Sequence, residues 1–236
     1  MGETMSAVKP VIILTRPAAQ NARFAQAIEA GGLEARIIEA PVTRIIPEPQ
    51  TSDLKPAANA IFTSYYGVEH APQGTGVAWC VGDRTAEVAA TKGWQSRSAG
   101  GDADALFKRI CADFAGAEVQ DTLVYYCGKQ TRGDLSERLT DVGISTQRCV
   151  VYRQEKQALS EDAHRTILGS NKAIFPVFSP NSAQRLIQQL PAGSKVDFVA
   201  ISQATAETLP PEMVRNMAVA RTPDARSLIE ALRDMV

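Results

Sequence analysis

Short apolar runs of β type alternate with segments of helical periodicity along the chain. VIIL at Val11–Leu14 precedes Ala18–Ala30, where Phe24, Ala27 and Ile28 share a face before Gly31 and Gly32 end the pattern. Ala35–Ile38 then returns to strand character. Further strands are expected at Ala60–Phe62, Val77–Val81, Leu123–Tyr126, Thr146–Val151, Ala173–Phe178, Val196–Ile201 and Met217–Ala220, with helical patterns between most of them. Such alternation predicts an α/β protein with one largely parallel sheet or two of them.

The pattern also repeats. A first module, Val11–Val42, runs strand, polar turn, helix, glycine, strand, and Thr122–Tyr152 follows the same order, with Gly32 and Gly143 at equivalent helix ends. A second module, Ala60–Ile110, has a strand ending on Thr63-Ser64 and then VGDRTAEVAA; Ala173–Leu232 matches it with VFSPNSA and then ISQATAETL. The order is A, B, A′, B′, and each copy holds enough strands for one small doubly wound sheet. Linkers are expected in the proline-rich stretch Ala40–Pro56 and at Val151–Gln157. Periodicity leaves two arrangements open: A with B and A′ with B′, or a crossover that inserts the middle of the chain between two halves of one domain.

Candidate chemistry gathers where strands lead into helices. These turns are Thr15-Arg16-Pro17, Thr63-Ser64, Gly82-Asp83-Arg84-Thr85, Gly128-Lys129-Gln130-Thr131-Arg132, Ser179-Pro180-Asn181-Ser182 and Ser202-Gln203-Ala204-Thr205. Each reads as an ordinary N-cap by itself. Six at the same kind of position point to an anion-binding edge, because helix starts present free N–H groups there. There is no GxxxxGK[ST], no GxGxxG after the first strand and no GxSxG, so nucleotide-binding and serine-hydrolase signatures are absent.

Composition narrows the picture further. Among 236 residues, 25 Lys plus Arg balance 26 Asp plus Glu, which argues against a nucleic-acid or membrane-surface binder. No apolar run approaches the ~20 residues of a membrane span. The opening MGETMSAVKP lacks the layout of a signal peptide and is expected to be a disordered leader. Cys80, Cys111, Cys127 and Cys149 have no metal-ligand or redox spacing, and with only His70 and His164 no metal site is expected. A reducing cytoplasm fits these cysteines.

Leu14-Thr15-Arg16-Pro17, Phe62-Thr63-Ser64, Val81-Gly82-Asp83-Arg84-Thr85-Ala86, Val151-Tyr152, Phe178-Ser179-Pro180 and Ala200-Ile201-Ser202 with Thr205-Ala206 occur in the order seen in uroporphyrinogen-III synthases. The resemblance runs from about Val11 to Leu232. It implies two doubly wound parallel-sheet α/β domains, flavodoxin-like, joined by a two-stranded linker with a cleft between them. Domain 1 would be 1–40 with 155–236, domain 2 the inserted 43–150, and the linkers about 40–43 and 150–155. It further implies a monomeric, cytoplasmic, cofactor-free lyase that cyclises hydroxymethylbilane to uroporphyrinogen III, losing water and inverting the last pyrrole ring. Its one protein contact would be a transient one with the preceding pathway enzyme.

Carried over, the resemblance makes Arg16, Thr63, Ser64, Gly82, Thr85, Ser179, Ser202 and Thr205 substrate-binding, with Lys129 and Arg132 adding positive charge. Tyr152 is either the general acid that assists hydroxyl departure or an aromatic wedge closing the linker. The alternative function is a two-domain cytosolic polyanion-binding protein without catalysis.

Overall fold

The computed structural model describes residues 10–49, 58–115, 121–131, 133–169 and 172–236. Arg132, the leader up to Lys9 and most of the second half of the expected Ala40–Pro56 linker lie outside the described residues. In chain order the elements are β1 Val11–Leu14, α1 Ala18–Ala30, β2 Arg36–Glu39, β3 Thr43–Pro47, β4 Ala60–Phe62, α2 Tyr65–His70, β5 Val77–Cys80, α3 Asp83–Thr91, β6 Gln95–Ser98 and α4 Ala103–Asp113. The second half continues with β7 Leu123–Gly128, α5 Leu135–Asp141, β8 Thr146–Lys156, α6 Glu161–Leu168, β9 Ala173–Val177, α7 Pro180–Ile187, β10 Val196–Ala200, α8 Gln203–Ala206, β11 Val214–Val219 and α9 Ala225–Arg233. No described helix is long and apolar enough to cross a membrane.

The chain divides into two compact units, one running to Arg44 and resuming at Lys156, the other spanning Ile45–Glu155. Both boundaries fall inside strands, β3 and β8. The first unit holds a sheet in the order β11-β10-β9-β1-β2, parallel at every pairing. The second holds β3-β8-β7-β4-β5-β6, parallel from β8 to β6. Module A thus shares a sheet with B′, and B with A′. Both sheets read B-third, B-second, B-first, A-first, A-second, so the repeat seen in the sequence is one topology built twice.

Parallel strands covered on both faces need continuous apolar runs, and the inner strands supply them. Val11 and Ile13 pack into one core cluster of the first unit, while Ile12 and Leu14 join Phe24 and Ile28 of α1 in the other. In the second unit Phe62, Tyr126 and Tyr152 fill one face and Ile61, Trp79, Tyr125 and Cys127 the other. Gly32 and Gly143, at φ of 69° and 86°, turn the chain out of α1 and α5 in the left-handed region that favours glycine.

Four features depart from expectation. The stretch from Ala40 is not all linker, since Thr43–Pro47 forms the edge strand β3 against β8. The strand expected to end at Val151 continues to Lys156, through the stretch expected as the second linker. QSRS at Gln95–Ser98 is a strand without an apolar residue; it sits at a sheet edge, where pairing with β5 rather than burial holds it. β11 also begins at Val214, earlier than its apolar run suggests.

Candidate active site

In a doubly wound sheet, ligands bind at the carboxyl ends of the strands, at the point where the strand order reverses. In the second unit that point lies between β4 and β7, and the turns there are Thr63-Ser64 and Gly128-Lys129. Ser64 caps α2, its Oγ accepting from the Tyr66 N–H at 3.0 Å and the Gly67 N–H at 3.4 Å. The same Oγ lies 3.0 Å from the Tyr152 hydroxyl. Thr63 Oγ1 lies 2.7 Å from the Tyr125 hydroxyl. Two phenols, from β7 and β8, therefore end on two successive hydroxyls of one turn.

Tyr152 is held tightly. A side chain at Gly128 would put its Cβ 2.8 Å from the Tyr152 ring, so only glycine lets the ring lie across the end of β7. The Lys129 N–H donates to the Tyr152 carbonyl at 2.8 Å, and Tyr66 and His70 flank the ring at centroid distances of 5.8 and 6.1 Å. Burial pushes the Tyr152 phenol above its ordinary value, against a smaller downward pull from Ser64. Burial likewise raises Tyr125, to about 12. Both are neutral hydrogen-bonding groups at physiological pH. The short helix α2 is closed at its far end by Lys92, whose Nζ donates to the carbonyls of Glu69 and Ala71 at 2.6 and 2.9 Å.

In the first unit the corresponding reversal lies between β1 and β9. Arg16 stacks its guanidinium over Phe178, 4.1 Å from the ring centroid, at the ends of those two strands. Ser179 caps α7, accepting from the Ser182 N–H at 3.2 Å and donating to Ser182 Oγ at 3.1 Å. Ser202 caps α8 through the Thr205 N–H at 3.3 Å, with the Thr205 hydroxyl 3.1 Å away. The 13-residue α1 follows its N-cap Pro17 without a side-chain cap, so its first N–H groups are left open at the strand ends.

The structure thus puts Thr63, Ser64, Gly82 and Lys129 at the strand ends of one unit, with Tyr152 of β8 beside the last residue of β7, and Arg16, Ser179 and Ser202 at the strand ends of the other. Thr85 and Thr205 lie in the first turns of α3 and α8 and are 6% and 0% exposed. Sequence reasoning missed Tyr125, and it placed Gly128 among the candidate turns without its part in making room for the Tyr152 ring; both roles depend on which strand lies beside which. An open depression of about 650 Å³ lined by Thr122, Glu137, Asp141 and Arg148 lies at the amino ends of β7 and β8. Its two carboxylates and its position at the wrong strand ends make it a poor seat for an anion. Among the described residues no group of three or more His, Cys, Asp or Glu could hold a metal ion.

The two copies of the glycine–serine turn offer a test. Gly82 and Ser202 hold nearly the same extended backbone, φ −158° and ψ 171° against φ −158° and ψ 162°, and an added Cβ at Gly82 meets nothing within 4 Å. Gly82→Ser is therefore expected to fold, with stability changed by only a few tenths of a kcal/mol, as N-cap glycine-for-serine exchanges are. The new hydroxyl would engage the Thr85 N–H as Ser202 engages that of Thr205. If open N–H groups at the start of α3 hold substrate, KM should rise several-fold; unchanged KM would remove Gly82 from the site.

Hydroxyls, helix starts and cations at the carboxyl ends of parallel strands are the groups with which an α/β protein can hold an anionic small molecule. Comparison with known proteins makes this specific. The model of the family described as uroporphyrinogen-III synthase HemD matches residues 22–230, and the chain belongs to that family of cyclising lyases of tetrapyrrole biosynthesis. Among solved structures, uroporphyrinogen-III synthetase from Helicobacter pylori is similar, with a TM-score of 0.65 at 15% identity, covering 96% of this chain and 100% of that one. A mutant uroporphyrinogen III synthase from the extremely thermophilic bacterium Thermus thermophilus gives 0.55 at 14% identity, over 95% and 98%. At such identities the structures carry the fold and the family match carries the activity. A search of curated proteins gives no significant match.

Proposed function

We propose that the protein grips the acetate and propionate groups of hydroxymethylbilane with the strand-end turns bearing Thr63, Ser64, Gly82 and Lys129 and with those bearing Arg16, Ser179 and Ser202. Tyr152 then acts as the general acid in the closure to uroporphyrinogen III. The observation that supports this best is the proton inventory at Ser64. A hydroxyl has two acceptor positions and one hydrogen. The acceptor positions of Ser64 Oγ face the N–H groups of Tyr66 and Gly67. Its hydrogen is then left to donate to the Tyr152 oxygen at 3.0 Å. The phenol accepts, so its own proton is available to the departing hydroxyl of the substrate.

Loss of that hydroxyl leaves an azafulvene-type electrophile. The remaining task is geometric: the substituted carbon of the terminal ring must attack, giving a spiro intermediate that rearranges to the inverted ring. Unaided closure gives the uninverted isomer I. Holding a flexible polycarboxylate in one fold suits catalysis by positioning, where effective molarities are large. Hydroxyls and helix starts supply the grips. We further propose that the protein works as a monomer in reducing cytoplasm, meeting the enzyme that supplies the bilane only transiently; its four free cysteines, three of them buried, fit that compartment.

The test is incubation with fresh hydroxymethylbilane and separation of the products. Isomer III in clear excess over the spontaneous reaction is expected. Isomer I alone, from protein shown to be folded, would overturn the synthase reading and leave a polyanion-binding protein.

A further inference from the structure

We infer that Tyr125 is a positioning residue of the same site, acting through Thr63. This rests on the proposal that the Thr63-Ser64 turn holds substrate. β7 pairs with β4 so that Tyr125 stands beside Ile61. Side chains alternate along a strand, so Tyr125, Ile61 and Thr63 share one face of the sheet. The phenol ring runs along that face toward the carboxyl end, and its hydroxyl meets Thr63 Oγ1 at 2.7 Å. Ser64, one residue on, belongs to the other face and meets Tyr152 at 3.0 Å. The turn is thus gripped from beneath on both faces.

The two phenols have different duties. Thr63 is partly exposed whereas Tyr125 is buried, at 4%. Within this pair Thr63 is the more open group and Tyr125 orients it. Among the described residues Thr63 Oγ1 is the only hydrogen-bond partner of the buried Tyr125 hydroxyl, so the phenol's hydrogen goes to it, which fixes the threonine rotamer and turns the threonine hydrogen outward. A threonine so oriented is a donor for a substrate carboxylate, and a bond between a neutral donor and a charged acceptor is among the stronger kinds. Nothing in this role requires Tyr125 to exchange a proton with the reacting atoms.

The experiment is steady-state kinetics of Tyr125→Phe, Thr63→Val and the double variant, with Tyr152→Phe alongside and circular dichroism as the control for folding. One oriented hydrogen bond corresponds to about a three- to ten-fold change. Tyr125→Phe should raise KM by about that factor with kcat nearly unchanged, and Thr63→Val should do the same. The double variant should be no worse than Thr63→Val, because the phenol acts only through that hydroxyl. If KM is unchanged in folded Tyr125→Phe, or if the two effects multiply, the inference is overturned. If Tyr125→Phe does not fold, Thr63→Ser decides: a serine hydroxyl on the same phenol should keep KM near that of the parent, and a KM as high as that of Thr63→Val would overturn it. A parent protein that makes no isomer III would instead defeat the functional reading itself.

Discussion

Replacing Tyr152 with phenylalanine is expected to lower kcat for isomer III by about 10²- to 10⁴-fold, the usual contribution of a positioned general acid. KM should change little, because the substrate's carboxylates are held by other groups. The fold should survive. Phenylalanine keeps the ring that packs across Gly128 and against Tyr66 and His70. The loss is one hydrogen bond to Ser64, worth about 1 kcal/mol. The pH profile carries a second signature. Burial raises the phenol above its ordinary value of 10, so the proton-donating form persists through neutral and mildly alkaline solution. The parent should therefore lose kcat only as the pH climbs past that value, and the phenylalanine variant should lack this limb. Unchanged kcat would reduce Tyr152 to an aromatic that packs.

The strands were easiest to see in the sequence where burial on both faces makes them continuously apolar. VIIL of β1 and AIF of β4 appear at the expected residues. Elements held by pairing alone left no such mark. QSRS in β6 has no apolar residue, and β3 is an edge strand of mixed polarity closed by Pro47. The charged continuation of β8 through Arg153 and Glu155 is held by Arg153, which pairs with Glu155 at 2.7 Å and with Glu48 at 2.9 Å. A charged stretch that reads as linker is here an ion-paired strand.

The site was legible by type more than by role. Turns ending on hydroxyls could be found because a parallel sheet leads into helices at one edge, and the cap geometry of Ser64, Ser179 and Ser202 follows from the residue type. What could not be read was depth. Thr85 and Thr205 share a motif and a buried environment beneath the helix start, although both resemble exposed caps in sequence. Tyr125 and Gly128 matter because β7 lies between β4 and β8, a fact of sheet order that no local pattern encodes. The duplicated modules nonetheless keep matched detail: residues 81–89 and 201–209 run through the same sequence of exposed and buried positions. One device, a strand that stops on a small residue and opens a helix, recurs in both sheets.

Phe62→Ala is expected to be the most destabilising of the substitutions considered, because Phe62 joins the core directly to the turn. It is fully buried, the last residue of β4, set edge-on to Trp94 at 5.8 Å and stacked on Tyr126 at 5.7 Å. Truncating a buried phenylalanine costs about 3–5 kcal/mol through lost burial and the cavity left behind. A whole domain is stable by only about 5–15 kcal/mol. With two compact units, unfolding need not be a single transition, so the probe matters. Both tryptophans, Trp79 and Trp94, lie in the Ile45–Glu155 unit, and their fluorescence reports that unit alone. The fluorescence transition in urea should therefore shift to markedly lower denaturant in Phe62→Ala and less so in Phe62→Leu, which refills part of the space. Below the transition, kcat should fall and KM rise together, since Thr63 and Ser64 hang from the residue removed and their partners Tyr125 and Tyr152 do not move with them. A fluorescence midpoint within about 1 kcal/mol of the parent, well under the range for buried aromatics, would mean that the neighbours collapse into the gap and that the turn is anchored elsewhere.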